Sequence, residues 1–93
     1  MKTLSLAAFL ATGLLGSGAV LAAPDCTSAP RDAWMTEAAM KQQVLDGGYT
    51  IDKFKVSGNC YEIYGNDAQG RKVEIYFDPT DGRVVKQRGG GKG

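Results

Sequence analysis

Between Phe54 and Val85 apolar and polar residues alternate, and turn residues interrupt the alternation three times. Alternation with period 2 marks a half-buried strand. Gly58-Asn59 suits a two-residue hairpin loop of the glycine-first kind, whose twist matches that of the strands. Asp67-Ala68-Gln69-Gly70 has Asp at the first position of a type I turn and Gly where a left-handed residue is needed. Asp78-Pro79-Thr80-Asp81-Gly82 uses Pro to preset φ and Gly to close the loop. These turns predict strands over 49–57, 60–66, 71–78 and 83–88. They also set the register: Val56 faces Tyr61, Phe54 faces Ile63, Ile63 faces Ile75, Tyr61 faces Phe77, and Phe77 faces Val84. All these large apolar residues then share one face, and Ile63, Ile75 and Phe77 are expected to be buried. One fault remains. Ile51 and Phe54 are three apart and cannot share a strand face, so a bulge near Asp52-Lys53 or a late strand start is expected.

Ahead of the strands the period changes. Ala38, Met40, Val44 and Leu45 form a helical stripe. Thr36 is placed to cap it, Glu37 suits the positive end of the helix dipole, and Met35 and Met40 stand where a hydrophobic staple would put them. Gly47-Gly48 ends it. Trp34 reads as a core anchor at the helix start, against the sharper reading of a partner-binding aromatic. The methionines sit at helical spacing and read as packing, not metal ligation. The expected fold is α+β, one helix packed on a four-stranded antiparallel meander, in a single small domain.

The first residues have a different character. Lys2 supplies a positive start, residues 4–21 carry no charge, and Val20-Leu21-Ala22 fits a small-residue cleavage site. This pattern predicts a secretory signal peptide over 1–22, cut after Ala22. Gly13, Gly16, Ser17 and Gly18 interrupt the stretch, which is also short for a membrane span. Pro24-Asp25 before Cys26 is not the setting of a lipid-attachment cysteine. The mature form is therefore expected in the periplasm or secreted, with no membrane span. It would comprise an extended lead over 23–33, the domain over 34–88 and a flexible glycine-rich tail over 89–93. The tail is not a phosphate loop, because neither Ser nor Thr follows Lys92.

A chain this short builds a marginal core, and small exported domains commonly add a covalent staple. Cys26 and Cys60 are the only cysteines. Two thiols without histidine make a poor zinc site, and their spacing is not that of a redox pair, so a structural disulfide is expected.

Charge and composition narrow the function. The formal net charge of +1 falls to zero when Lys2 leaves with the signal peptide, so the basic residues Lys86, Arg88 and Lys92 give no case for nucleic acid. The chain has no histidine, which removes the commonest general base and metal ligand. The register places Lys53, Lys55, Ser57, Cys60, Glu62, Tyr64, Glu74, Tyr76, Asp78, Arg83, Val85 and Gln87 on the face away from the helix. Lys55 faces Glu62, Tyr64 faces Glu74, and Glu62 flanks Tyr76, which flanks Val85. Such a face reads first as a solvated surface held by cross-strand pairs. Glu62 and Glu74 as a catalytic pair would need a cleft and a raised pKa on one acid, and an open face beside lysine predicts neither. The sharper reading is a recognition surface formed by Tyr64, Tyr76, Arg83 and Val85, with an extended peptide added along the edge strand 83–88.

The ordered set Trp34-Met35-Thr36, Gly48-Tyr49, Ile51, Phe54-Lys55-Val56, Cys60 to Gly65, Gly70 to Tyr76, Asp78-Pro79, Gly82 and Val84-Val85 resembles the PepSY domain family, in particular its small stand-alone exported members. The resemblance implies a helix packed on an antiparallel sheet and no catalytic residues. The family is named for propeptides of thermolysin-like peptidases and a spore-germination protein. The resemblance thus implies a domain that holds a peptidase inactive or modulates one outside the cytoplasm. This sequence carries no peptidase domain, so the expected target is a separate molecule. The function expected is a secreted or periplasmic non-enzymatic binding domain, with a peptidase or envelope protein as partner and no cofactor or metal. The alternative is a small-ligand or metal-binding carrier, which a cavity between helix and sheet would favour.

Overall fold

A computed structural model describes residues 23–90. The expected signal peptide and the last three residues of the tail lie outside the described residues. Within them the order is a 3-10 turn (Arg31–Ala33), α1 (Glu37–Asp46), β1 (Thr50–Ser57), β2 (Cys60–Asn66), β3 (Lys72–Phe77) and β4 (Val84–Gly89). The strands form one antiparallel sheet in the order β1-β2-β3-β4. The fold is thus the expected α+β meander with one helix.

The three turns set the register as the sequence predicts. Val56 pairs with Tyr61, Phe54 with Ile63, Tyr61 with Phe77, Ile63 with Ile75, and Phe77 with Val84. Gly58, Gly70 and Gly82 have φ of +58°, +82° and +79°, the left-handed region that each turn requires. The register shifts between Ile51 and Lys53, so Asp52 is the bulge that lets Ile51 and Phe54 both pack on the core.

The inner face carries the main core: Met40, Val44, Tyr61, Ile63, Val73, Ile75 and Phe77. Thr36 Oγ1 accepts a hydrogen bond from the Ala39 amide and caps α1, an arrangement worth about 1 kcal/mol. Met40 and Val44, one turn apart, point into the core, whereas Leu45 is 49% exposed. Leu45 and the exposed Ala38 are the corrections to the expected stripe. One residue past Val44 turns the side chain about 100° around the helix, away from a single-layer sheet. Trp34 is half-buried beside the core, its ring edge-on to Tyr61 at 5.3 Å between centroids. The Tyr61 hydroxyl donates to the Met35 carbonyl at 2.7 Å, tying the helix start to β2. Burial, assisted by the Glu37 charge and opposed by Arg31, raises the Tyr61 pKa.

Two expectations about β4 need correction. Tyr76 pairs with Lys86, not with Val85, because the register shifts between Tyr76 and Phe77 and leaves Val85 as an extra residue. Lys86 and Arg88, opposite Tyr76 and Glu74, therefore take the outward positions, and Gln87 lies opposite Ile75. The cause is the loop before the strand. The Asp78 amide donates to the Arg83 carbonyl, and Phe77 is already paired with Val84, so the next residue must bulge. The strand also runs further than expected. Gly89, assigned to the tail, pairs with Val73, and the Gly90 amide donates to Lys72 at 3.0 Å. A Cβ on Gly89 would stand 2.4 Å from the Lys72 carbonyl oxygen, so only glycine lets the backbones meet there.

Candidate functional site

The face opposite the helix is not an open surface. Cys26 and Cys60 form a disulfide, with an S–S distance of 2.03 Å. Cys60 lies on the outward side of β2, so the bond draws the lead segment across that face. Asn59 holds it there: its Oδ1 accepts from the Cys26 amide at 2.7 Å and its Nδ2 donates to Asp25 at 2.8 Å. The Pro24 carbonyl oxygen lies 3.1 Å from Cys60 Sγ, a contact and not a hydrogen bond, because a disulfide sulfur carries no proton. Cys26, Cys60 and Tyr76 form a second buried cluster, with Ala23 and Val85 packed against it.

Beside this cluster is a cleft of 340 Å³, with Ala23, Ser57, Glu62, Tyr64, Glu74 and Tyr76 in its wall and Lys55 and Arg88 beside them. A second hollow of 360 Å³ shares Tyr64, Glu74 and Arg88, and so continues the first towards the far end of the sheet. Neither lies between helix and sheet, where the carrier alternative would have put a cavity.

Glu62 is the unexpected residue of the cleft. Expected in a solvated face, it is 2% exposed. Its Oε1 accepts a short hydrogen bond from Ser57 Oγ, and its Oε2 is buried with no hydrogen-bond partner. Burial works against the charged form, but the polar groups of Glu74, Ser57, Tyr64 and Tyr76 outweigh it and hold the carboxyl below the usual carboxylate range. Tyr76 donates to Glu74 Oε2 at 3.1 Å, and Arg88 Nε lies 3.8 Å from Glu74 Oε1. The nearby Glu62 carboxylate, then burial and the charge of Glu74, push the Tyr64 hydroxyl up to about 12. Burial and the Glu74 bond raise Tyr76 as well. Both phenols therefore stay protonated at neutral pH. An anion with a lowered pKa between neutral phenols holds charge; it does not relay a proton.

The proposed recognition residues separate into three settings. Tyr64 and Tyr76 share the cleft, but Tyr64 is 39% exposed while Tyr76 is buried and supports the wall. Val85 packs on Tyr76 and the disulfide through the bulge. Arg83 stands apart at the last turn, where Nη2 lies 3.3 Å from Asp78 Oδ2 and Nε 3.8 Å from Asp81 Oδ2. Hydrogen bonding from Thr80, with help from Arg83, lowers the pKa of Asp78 against the effect of its burial. Sequence reasoning missed Ala23, the burial of Glu62, and Arg88 as the outward partner of Glu74.

Residues 6–88 match a protein family described as peptidase propeptide and YPEB domain. No curated protein and no solved structure matches the chain.

Proposed function

The chain belongs to the peptidase propeptide and YPEB domain family, and on that premise we propose that it is an exported, non-enzymatic binding domain that modulates a separate peptidase or envelope protein. The match over most of the chain carries this reading. The disulfide is compatible with an oxidising compartment, and no helix among the described residues is long and apolar enough to cross a membrane. The recognition surface in this reading is the outward groove and the adjoining β4 edge. Tyr64 is its exposed aromatic, Tyr76 and Val85 support it, and Arg83 marks its end.

The test adds the purified mature domain to an envelope fraction and follows the peptidase activities present. Saturable inhibition or stimulation of one of them is expected, together with stoichiometric capture of that enzyme. Tyr64→Ala should weaken the effect about tenfold, the range of an interface aromatic, and Gln42→Ala on the exposed side of the helix should leave it unchanged. No change in any envelope peptidase, with no envelope protein retained at stoichiometric level, would overturn the proposal.

A further inference from the structure

The carboxylate of Glu62 has the surroundings of half an ion pair. It is 2% exposed, its Oε2 has no hydrogen-bond partner, and it takes part in none of the ion pairs among the described residues. A buried anion in that condition is costly unless a cation or further donors reach it. Lys55 lies opposite Glu62 in the register and lines the same cleft, yet it is exposed and forms no ion pair with Glu62, and Arg88 approaches Glu74 instead.

Ala23 lines the same cleft. Its methyl group packs against the Cys26, Cys60 and Tyr76 cluster and stands 3.5 Å from where a Cβ on Gly58 would be. Its place is preset by the disulfide and by the two hydrogen bonds of Asn59 to Asp25 and Cys26. The sequence predicts that Ala23 becomes the first residue of the mature chain. Hydrolysis of the Ala22–Ala23 bond by an export peptidase consumes one water. It leaves a carboxylate on Ala22 and, at neutral pH, an ammonium on Ala23. A neutral amide with one N–H is thereby replaced by a cation with three, in the cleft that also holds a carboxylate oxygen without a hydrogen-bond partner.

We infer that Glu62 is the receptor for the α-ammonium of the mature chain's own Ala23, so that removal of the leader completes the outer face of the domain. The inference rests on the reading that the chain is exported and cut after Ala22. Little ordering is lost when the pair forms, since the lead is already pinned. The other charged or titratable groups around the pair are Lys55 from β1, Tyr64 from β2, Glu74 and Tyr76 from β3, Arg88 from β4, and Asp25 in the lead. Lys55 and Arg88 oppose the ammonium, and Glu74 and Asp25 favour it. The pair raises the ammonium's pKa above its unfolded value of about 7.7–8.0, so its stability contribution is full below that range and is lost as pH rises through the folded pKa.

The experiment uses the mature chain beginning at Ala23 and reads the α-amino pKa by NMR, alongside melting between pH 7 and pH 10. The expected result is an α-amino pKa raised by about one unit or more, and melting that weakens over the same range. Glu62→Gln should return the pKa to its ordinary range. A chain with one glycine added before Ala23 should do the same while Glu62 stays intact, which keeps the test valid if Glu62→Gln does not fold. Equal α-amino pKa values in the mature and extended chains would overturn the inference and leave the export reading standing. N-terminal sequencing of protein from the cell envelope that finds a first residue other than Ala23 would overturn it through its premise. Uncut protein retained in the cytoplasm would remove the export reading as well.

Discussion

Glu62 and Ile63 are consecutive residues of β2, and they are 2% and 0% exposed. They reach the same burial on opposite faces by different means. Ile63 is one of seven buried side chains supplied by the helix and two strands, so its surroundings are apolar and redundant. Glu62 is buried among polar and aromatic neighbours, on a face where the lead segment is held by one covalent bond and one asparagine. The inner face is stabilised by area removed from water, and the outer face by a constraint on where the chain can go. The two should fail separately.

The largest effect is expected on the inner face. Ile75→Ala should cost about 2–5 kcal/mol in denaturant unfolding, the range for emptying a fully buried site. A cost near zero would mean that the inner face is not the main source of stability, and the contrast would collapse. Next comes the staple. Replacing Cys26 and Cys60 together with Ser should cost about 2–4 kcal/mol while the folded state keeps its inner packing. Trp34, the only tryptophan and edge-on to Tyr61, reports on that packing, so its fluorescence before the transition should match the parent. Altered Trp34 emission in the folded variant would show that the two faces are coupled.

The smallest effect concerns acid. Asp78 and Glu62 both have lowered pKa values in the fold, so each contributes stability above its unfolded value, about 4, that is lost as pH falls through the lower folded value. The buried side chains of the inner face do not titrate in this range. Melting temperatures between pH 5 and pH 2 should therefore fall less in Asp78→Asn than in the parent. The difference at pH 7 should be about 1 kcal/mol or less, since its ion-pair partner Arg83 is largely exposed. Parallel curves would assign the acid sensitivity elsewhere.

The inner face was legible in the sequence because turn chemistry fixes register, and register fixes which side chains share a face. The bulge at Asp52 was visible for the same reason: Ile51 and Phe54 conflict unless a residue is inserted. The bulge at Val85 was not, since nothing in Arg83-Val84-Val85-Lys86 conflicts. It follows from how the preceding loop closes through the Asp78 amide. Glu62 was hidden by a different omission. A bond from Cys26 to Cys60, which lies on the outward face, already requires the lead to reach the face that Glu62 shares. Strand periodicity treats each face as either core or solvent, and it has no position for a carboxylate buried on the outer one. The distances that make Ala23 part of the cleft depend on side-chain placement, which no pattern of residue types contains.

The bond between Cys26 and Cys60 encloses the 3-10 turn, the helix, β1 and the first hairpin turn. A single backbone cut anywhere inside that span adds one water and releases nothing. The piece carrying the new amino end and the piece carrying the new carboxyl end stay joined through sulfur, and β1 stays laddered to β2. For a domain whose family is named for companions of peptidases, one nick in the helix is thus not an exit. Discarding the fragment needs a second cut or a reductant.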